Sequence, residues 1–347
     1  MVDTQQPGLT PRQELILASV VEEYVATGTP VGSKTLVQRA GLELSSSTVR
    51  HELAVLEEQG LLTHPHTSAG RVPTDTGYRF FVDGLLERLE PRPADLALDL
   101  SQVESQVDMA LRATTDALAD VTHLLALVSA PPLETTTVRH VEVLLLQPHV
   151  VMVVVISSTG GVTKRLCTFE EPVDAGLAEW AGQYLNETVA GLQLGARLLR
   201  SRLDDPGLSD GERGFLDRLR PAFTDVLAGE EQMLYVGGTA GVLDEFRADE
   251  FRTYRRLLEV LEHRAAVLDL LRASLVSKRP FVRVGADLDD PDLVGVALVG
   301  APYGLRQRNL GTVSLLGPMR MDYVKAIAAV RSGAHELSRF VEDIYED

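Results

Sequence analysis

The chain has 347 residues, room for two or three domains at about 150 residues each, and its 45% apolar, 24% charged make-up is that of a globular rather than a disordered protein. Its longest apolar runs, such as Val150 to Ile156, fall far short of the roughly 20 residues that span a bilayer. A net charge of −17 argues against a protein that coats nucleic acid indiscriminately, and one cysteine, Cys167, excludes an intramolecular disulfide.

In chain order, Thr10-Pro11-Arg12-Gln13 combines an N-cap, a proline at the first helical position and Gln three residues after the cap, so a first helix starts there and stops near Gly28. Leu17, Val20, Val21 and Tyr24 form its inner stripe. Ser33 caps a short second helix with Leu36, Val37 and Ala40 inward and Gly41 as its stop. Ser45 caps a third from about Ser46 to Gln59, ended by Gly60 in the left-handed conformation. On that helix Val49, Leu53 and Leu56 share one stripe, which leaves Ser46, Ser47, Arg50, His51 and Ala54 on other faces. Short polar donors beside small residues suit a helix that enters a major groove.

Leu61 and Leu62 then open a strand, His64 to Gly70 has turn composition, Arg71-Val72-Pro73 returns, and Thr74 caps a helix whose Tyr78, Phe81 and Val82 face a core. Three helices, a two-stranded loop and a fourth helix are the order of a winged helix, over about residues 10 to 88. Between Pro30 and Val82 five cations (Lys34, Arg39, Arg50, Arg71, Arg79) balance five anions (Glu43, Glu52, Glu57, Glu58, Asp75), which predicts weak non-specific binding and a modest salt dependence.

Residues 89 to 98 carry two prolines and read as a linker, and Leu100 to about Leu127 reads as a long helix that serves either a dimer interface or its own next domain. Three β-rich runs follow between Val138 and Phe169, an antiparallel meander, with Cys167 as a small buried hydrophobe in the last. Helical segments dominate to about Ser274, then FVRVG, LVGVALVG and NLGTVSLLG return as strands before a closing helix from about Tyr323 to Glu346. This is an α+β, multidomain chain with something inserted in its second part.

No P-loop, GxGxxG after a strand, HExxH, GxSxG or CxxC occurs, so an enzyme is not expected, nor is a cofactor. His64 and His66 flank a proline without an acidic or thiol partner, so no metal is expected, and Gly237 to Gly241 lacks the Lys-Ser/Thr of a nucleotide cradle and reads as a turn.

STVR at 47 to 50, LEEQGLL at 56 to 62, HTSAGRVPTDTGYRFFVD at 66 to 83 and GPMRMDY at 317 to 323 closely resemble the heat-inducible transcription repressors called HrcA. Where members often have Asn this chain has His51, and Thr63 and His64 stand in place of a more basic pair. The resemblance implies an N-terminal winged helix-turn-helix (1–88), a linker and long helix (89–128) and a GAF-like α+β domain (129–347) carrying an inserted dimerisation domain. The insertion falls within about 138–275, either the helical block from about 195 or a longer stretch that includes the first three strands. It also implies a homodimer on the inverted-repeat operator CIRCE upstream of chaperone genes, and a GroEL-type chaperonin partner. The expected DNA-binding residues are Ser46, Ser47, Thr48, Arg50 and His51 on the helix, with His66, Thr67, Ser68, Gly70, Arg71 and Arg79 around the wing. Of these, Ser46, Ser47, Arg50 and His51 would approach base edges, and Thr67, Ser68, Arg71 and Arg79 would hold phosphates. The expected function is a cytoplasmic repressor of heat-shock chaperone genes, with no membrane association and with a repressor gated by a small ligand in the GAF-like domain as the alternative.

Overall fold

The computed structural model describes residues 8–39, 44–65, 70–89, 100, 107–131, 137–157, 162–193, 202–223, 234–246, 250–262, 267, 271, 279–288, 290, 293–306 and 308–346. It is a mixed α+β structure with three separate sheets among the described residues. Among these residues no helix is long and apolar enough to cross a membrane.

The N-terminal part is built from signals written locally. Helix α1 (Pro11–Thr27) starts at the Thr10 capping box and ends at Gly28, whose φ of +58° is the left-handed stop. Helix α2 (Ser33–Arg39) places Ser33 inside its first turn rather than at the cap, because the Gly32 carbonyl already accepts from the Leu36 amide at 3.2 Å. Helix α3 (Ser46–Glu58) buries Val49, Leu53 and Leu56 and gives way to Gly60 at φ +74°. Strands β1 (Leu62–Thr63) and β2 (Val72–Pro73) pair antiparallel, and helix α4 (Asp75–Glu87) follows with Thr74 as its cap. Two close approaches tighten this unit. A side chain at Gly70 would run into the Val31 backbone, which pairs with Arg71, and one at Gly77 would run into the Leu61 carbonyl.

Helix α5 (Val107–Thr122) ends earlier than its sequence pattern suggests. His123 takes φ +58°, and Leu125 begins strand β3 (Leu125–Ser129) instead of extending the helix. The run LLALV at 124 to 128 is continuously apolar, and periodicity alone does not separate a buried strand from a buried helix. The tertiary structure decides it: β3 sits between β7 (Leu234–Gly237) and β10 (Arg308–Pro318) in a five-stranded antiparallel sheet of order β7-β3-β10-β9-β8, with β8 at Phe281–Val284 and β9 at Val296–Leu305. Alternate residues of β3 serve two cores. Ala126 and Val128 face α5 and the closing helix α9 (Tyr323–Glu346), and Leu125 and Leu127 join Leu298, Leu316 and Leu257 of helix α8 (Phe251–Glu262) on the other face.

Neighbours β3 and β7 are separated in sequence by the excursion 130–233. That stretch builds a second antiparallel sheet from β4 (Val138–Gln147), β5 (Val150–Ser157) and β6 (Val162–Thr168). Helices α6 (Ala175–Val189) and α7 (Asp210–Leu219) cover one face, closing a separate core of Val141, Val151, Val153, Leu185, Phe215 and Phe223. The other face carries Leu144, Leu146, Val162 and Leu166, all exposed.

Candidate nucleic-acid interface

Helix α3 is fixed first by its cap. The Ser45 hydroxyl accepts from the Thr48 amide at 3.1 Å and lies 2.8 Å from both the Ser47 and Thr48 hydroxyls. Thr48 is therefore turned back on the cap and half-buried. Ser46 is also turned away from solvent, with its hydroxyl 3.1 Å from that of Ser33 on α2. The exposed donors of the helix are thus Ser47, Arg50 and His51, and among the described residues neither Arg50 nor His51 enters an ion pair.

About two turns on, Glu57 organises the base of the two-stranded loop. Its carboxylate pairs with the Arg71 guanidinium at 2.6 Å and with the His64 ring, so α3 is tied to both arms of the loop. Glu57 was not legible as a site residue, because its partners lie 7 and 14 positions away across a turn. Arg71 is held inward with a quarter of its side chain exposed. His66, Thr67 and Ser68 lie outside the described residues. Gly70 is half-buried against Val31. Arg79 is elsewhere: it leaves α4 toward the five-stranded sheet and pairs with Asp287 in the 3-10 turn after β8. The structure therefore gathers Ser47, Arg50, His51 and, through Glu57, Arg71, but not Arg79. The glycine stretch after β7 is a packed turn, in which Gly238 at φ +81° lies against the Leu124 carbonyl.

A family model described as the HrcA protein C terminal domain matches residues 108–327. Over 328 residues the chain is 37% identical to the heat-inducible transcription repressor HrcA of Mycobacterium sp. strain KMS, covering 92% of this chain and 94% of that one. The chain belongs to the HrcA family. The HrcA of Mycobacterium sp. strain JLS matches with the same identity and coverage. A crystal structure described only as a hypothetical protein at 2.2 Å resolution shares the fold, with a TM-score of 0.68 at 22% identity over 97% of this chain and all of that one. As an HrcA family member the chain is a negative transcriptional regulator of heat-shock genes, a role exercised on DNA, and the family is not an enzyme class. The family model begins at α5, so α3 and its loop lie outside it, within the part matched by the full-length HrcA relatives.

Proposed function

We propose that this HrcA family member represses chaperone operons as a homodimer that sets two winged helix-turn-helix modules on a CIRCE-type inverted repeat. The observation that carries this reading is the exposed donor face of α3, Ser47, Arg50 and His51, beside a loop braced by Glu57. In this reading Arg50 and His51 read base edges in the major groove, with Ser46, Ser47 and Thr48 at the helix start, and the loop from His66 to Gly70 and Arg71 meets phosphates. In this reading Arg79, whose guanidinium faces Asp287, is set apart from them.

In this reading the five-stranded sheet with α5 and α9 forms the GAF-like domain and the inserted dimerisation domain lies within the excursion 130–233, which separates the sheet neighbours β3 and β7. Its exposed apolar face favours that role, because contiguous apolar surface of this kind marks an interaction site. A GroEL-type chaperonin fits a repressor of marginal stability, whose folded fraction falls when unfolded proteins compete for the chaperonin.

The test is fluorescence anisotropy on the intact repeat, one half-site and a scrambled duplex at several salt concentrations, with and without chaperonin. Wild type should bind the intact repeat tightly and the others weakly. Arg50→Ala should cost about 1 to 3 kcal/mol on the repeat and little on scrambled DNA. Equal losses on both would remove its base-reading role.

One feature favours the ligand-gated reading as second: a cleft of about 350 Å³ between α5 and β7, lined by Asp108, Arg112, Thr115, Asp116 and Tyr235. Operator binding that changes only with an added small molecule, and not with chaperonin, would select it.

A further inference from the structure

Two of the segments that carry the resemblance to HrcA, those with Tyr78 and Phe81 and with Tyr323, meet in space. Tyr78 and Phe81 of α4 pack their rings against Tyr323 at the start of α9, with centroids 6.0 and 6.4 Å apart, and all three are buried. The apolar core of the N-terminal unit runs through them without a break into that of the five-stranded sheet. The Tyr323 hydroxyl donates to the Met319 carbonyl at 2.6 Å. The loop that presents it is itself held: the Met319 amide donates to Gly295 at 3.0 Å, and Arg320 pairs with Glu250 at 3.3 Å. At the edge of this joint Arg79 pairs with Asp287. Beside it Gly285, at φ +51°, leaves the space that the Asp75 carboxylate of α4 fills.

A reader on a free tether reaches half-sites at many separations, with an effective concentration set by the tether alone. A reader docked through buried rings does not. We infer that this joint is the element that sets the half-site spacing accepted by the dimer, with Arg79 and Asp287 as its positioning pair. The inference rests on the dimeric operator reading above, and it moves Arg79 from phosphate contact to geometry. On a duplex of about 10 to 10.5 base pairs per turn, five added base pairs place the second half-site on the opposite face, where a fixed reader misses it.

The experiment measures anisotropy of the full chain on the intact repeat, on repeats with the spacer lengthened by two and by five base pairs, and on one half-site. Circular dichroism checks each variant's fold. Wild type should discriminate against the five-base-pair insertion by about 100-fold or more. Asp287→Arg, which sets two guanidinium groups against each other far from α3, should leave half-site affinity unchanged and narrow that ratio to under about tenfold. The double variant Arg79→Asp with Asp287→Arg restores the pair with its charges exchanged, and should bring the ratio back to within about threefold of wild type. A wild-type ratio kept by Asp287→Arg, or not recovered by the double variant, would overturn Arg79 and Asp287 as the pair that sets the spacing while leaving the dimeric reading intact. A wild-type protein that binds every spacing no better than one half-site would instead overturn the dimeric reading, and the inference with it.

Discussion

The exposed face of the β4-β5-β6 sheet gives the dimer proposal a number. Register places Leu144, Met152 and Leu166 side by side across the three strands, and Leu166 has 62% of its area exposed. Replacing Leu166 with Ala removes three carbons, each worth about 0.8 kcal/mol when fully buried. Scaled by the exposed share, the loss is about 1 to 2 kcal/mol per copy. A two-fold interface uses the same residue twice, so the dimer loses about 2 to 4 kcal/mol, roughly 30- to 700-fold in its dissociation constant. The monomer fold should barely change, because Leu166 makes little of its own core. Sedimentation equilibrium measures the dimer constant directly, and anisotropy should show unchanged half-site affinity with a stronger dependence on protein concentration on the intact repeat. A dimer constant unmoved by Leu166→Ala, and again by Leu166→Lys, would refute this face as the interface.

Gly77→Ala should destabilise the N-terminal unit by about 1 to 3 kcal/mol, since the new methyl meets the Leu61 backbone, whereas Gly84→Ala on the same helix, with open space around it, should stabilise by about 0.4 to 1 kcal/mol. Thermal melts of opposite sign support this packing, and equal shifts contradict it. Glu57→Gln removes the carboxylate charge that competes with phosphate for Arg71, so binding to operator and random duplex alike should strengthen; unchanged affinity on both would mean that Arg71 does not reach the phosphates. Burial pushes the Cys167 thiol up, with Arg165 pulling weakly the other way, so less thiolate is present near pH 8 in the folded chain than in the unfolded one. Alkylation should be slower in buffer than in urea and should quicken only above the ordinary thiol range, and equal rates at pH 8 would refute the burial.

Much of the N-terminal unit is legible because its signals act within a few residues. Thr10, Ser45 and Thr74 accept hydrogen bonds from amides three positions on, and Gly28 and Gly60 adopt the positive φ that ends a helix. The stripe Val49, Leu53, Leu56 is buried because 3.6-residue periodicity puts it on one face. The HrcA segments are legible in the same way, as residues in a row.

What only the tertiary structure decided are the choices made by distant partners. Leu125 belongs to a strand because β7 and β10 flank it, across an excursion of some hundred residues on one side and nearly two hundred on the other, which no local pattern encodes. Arg71 and Arg79 look alike in sequence, each a cation near a predicted wing. One is turned to Glu57 at the base of the loop, and the other crosses to Asp287, because the chain brings a carboxylate within reach of each. A cap bond closes within one turn and so follows from sequence alone. The partner of a long charged side chain follows from how the whole chain packs, and so the pairing of Arg79 with Asp287 could not be read from the sequence.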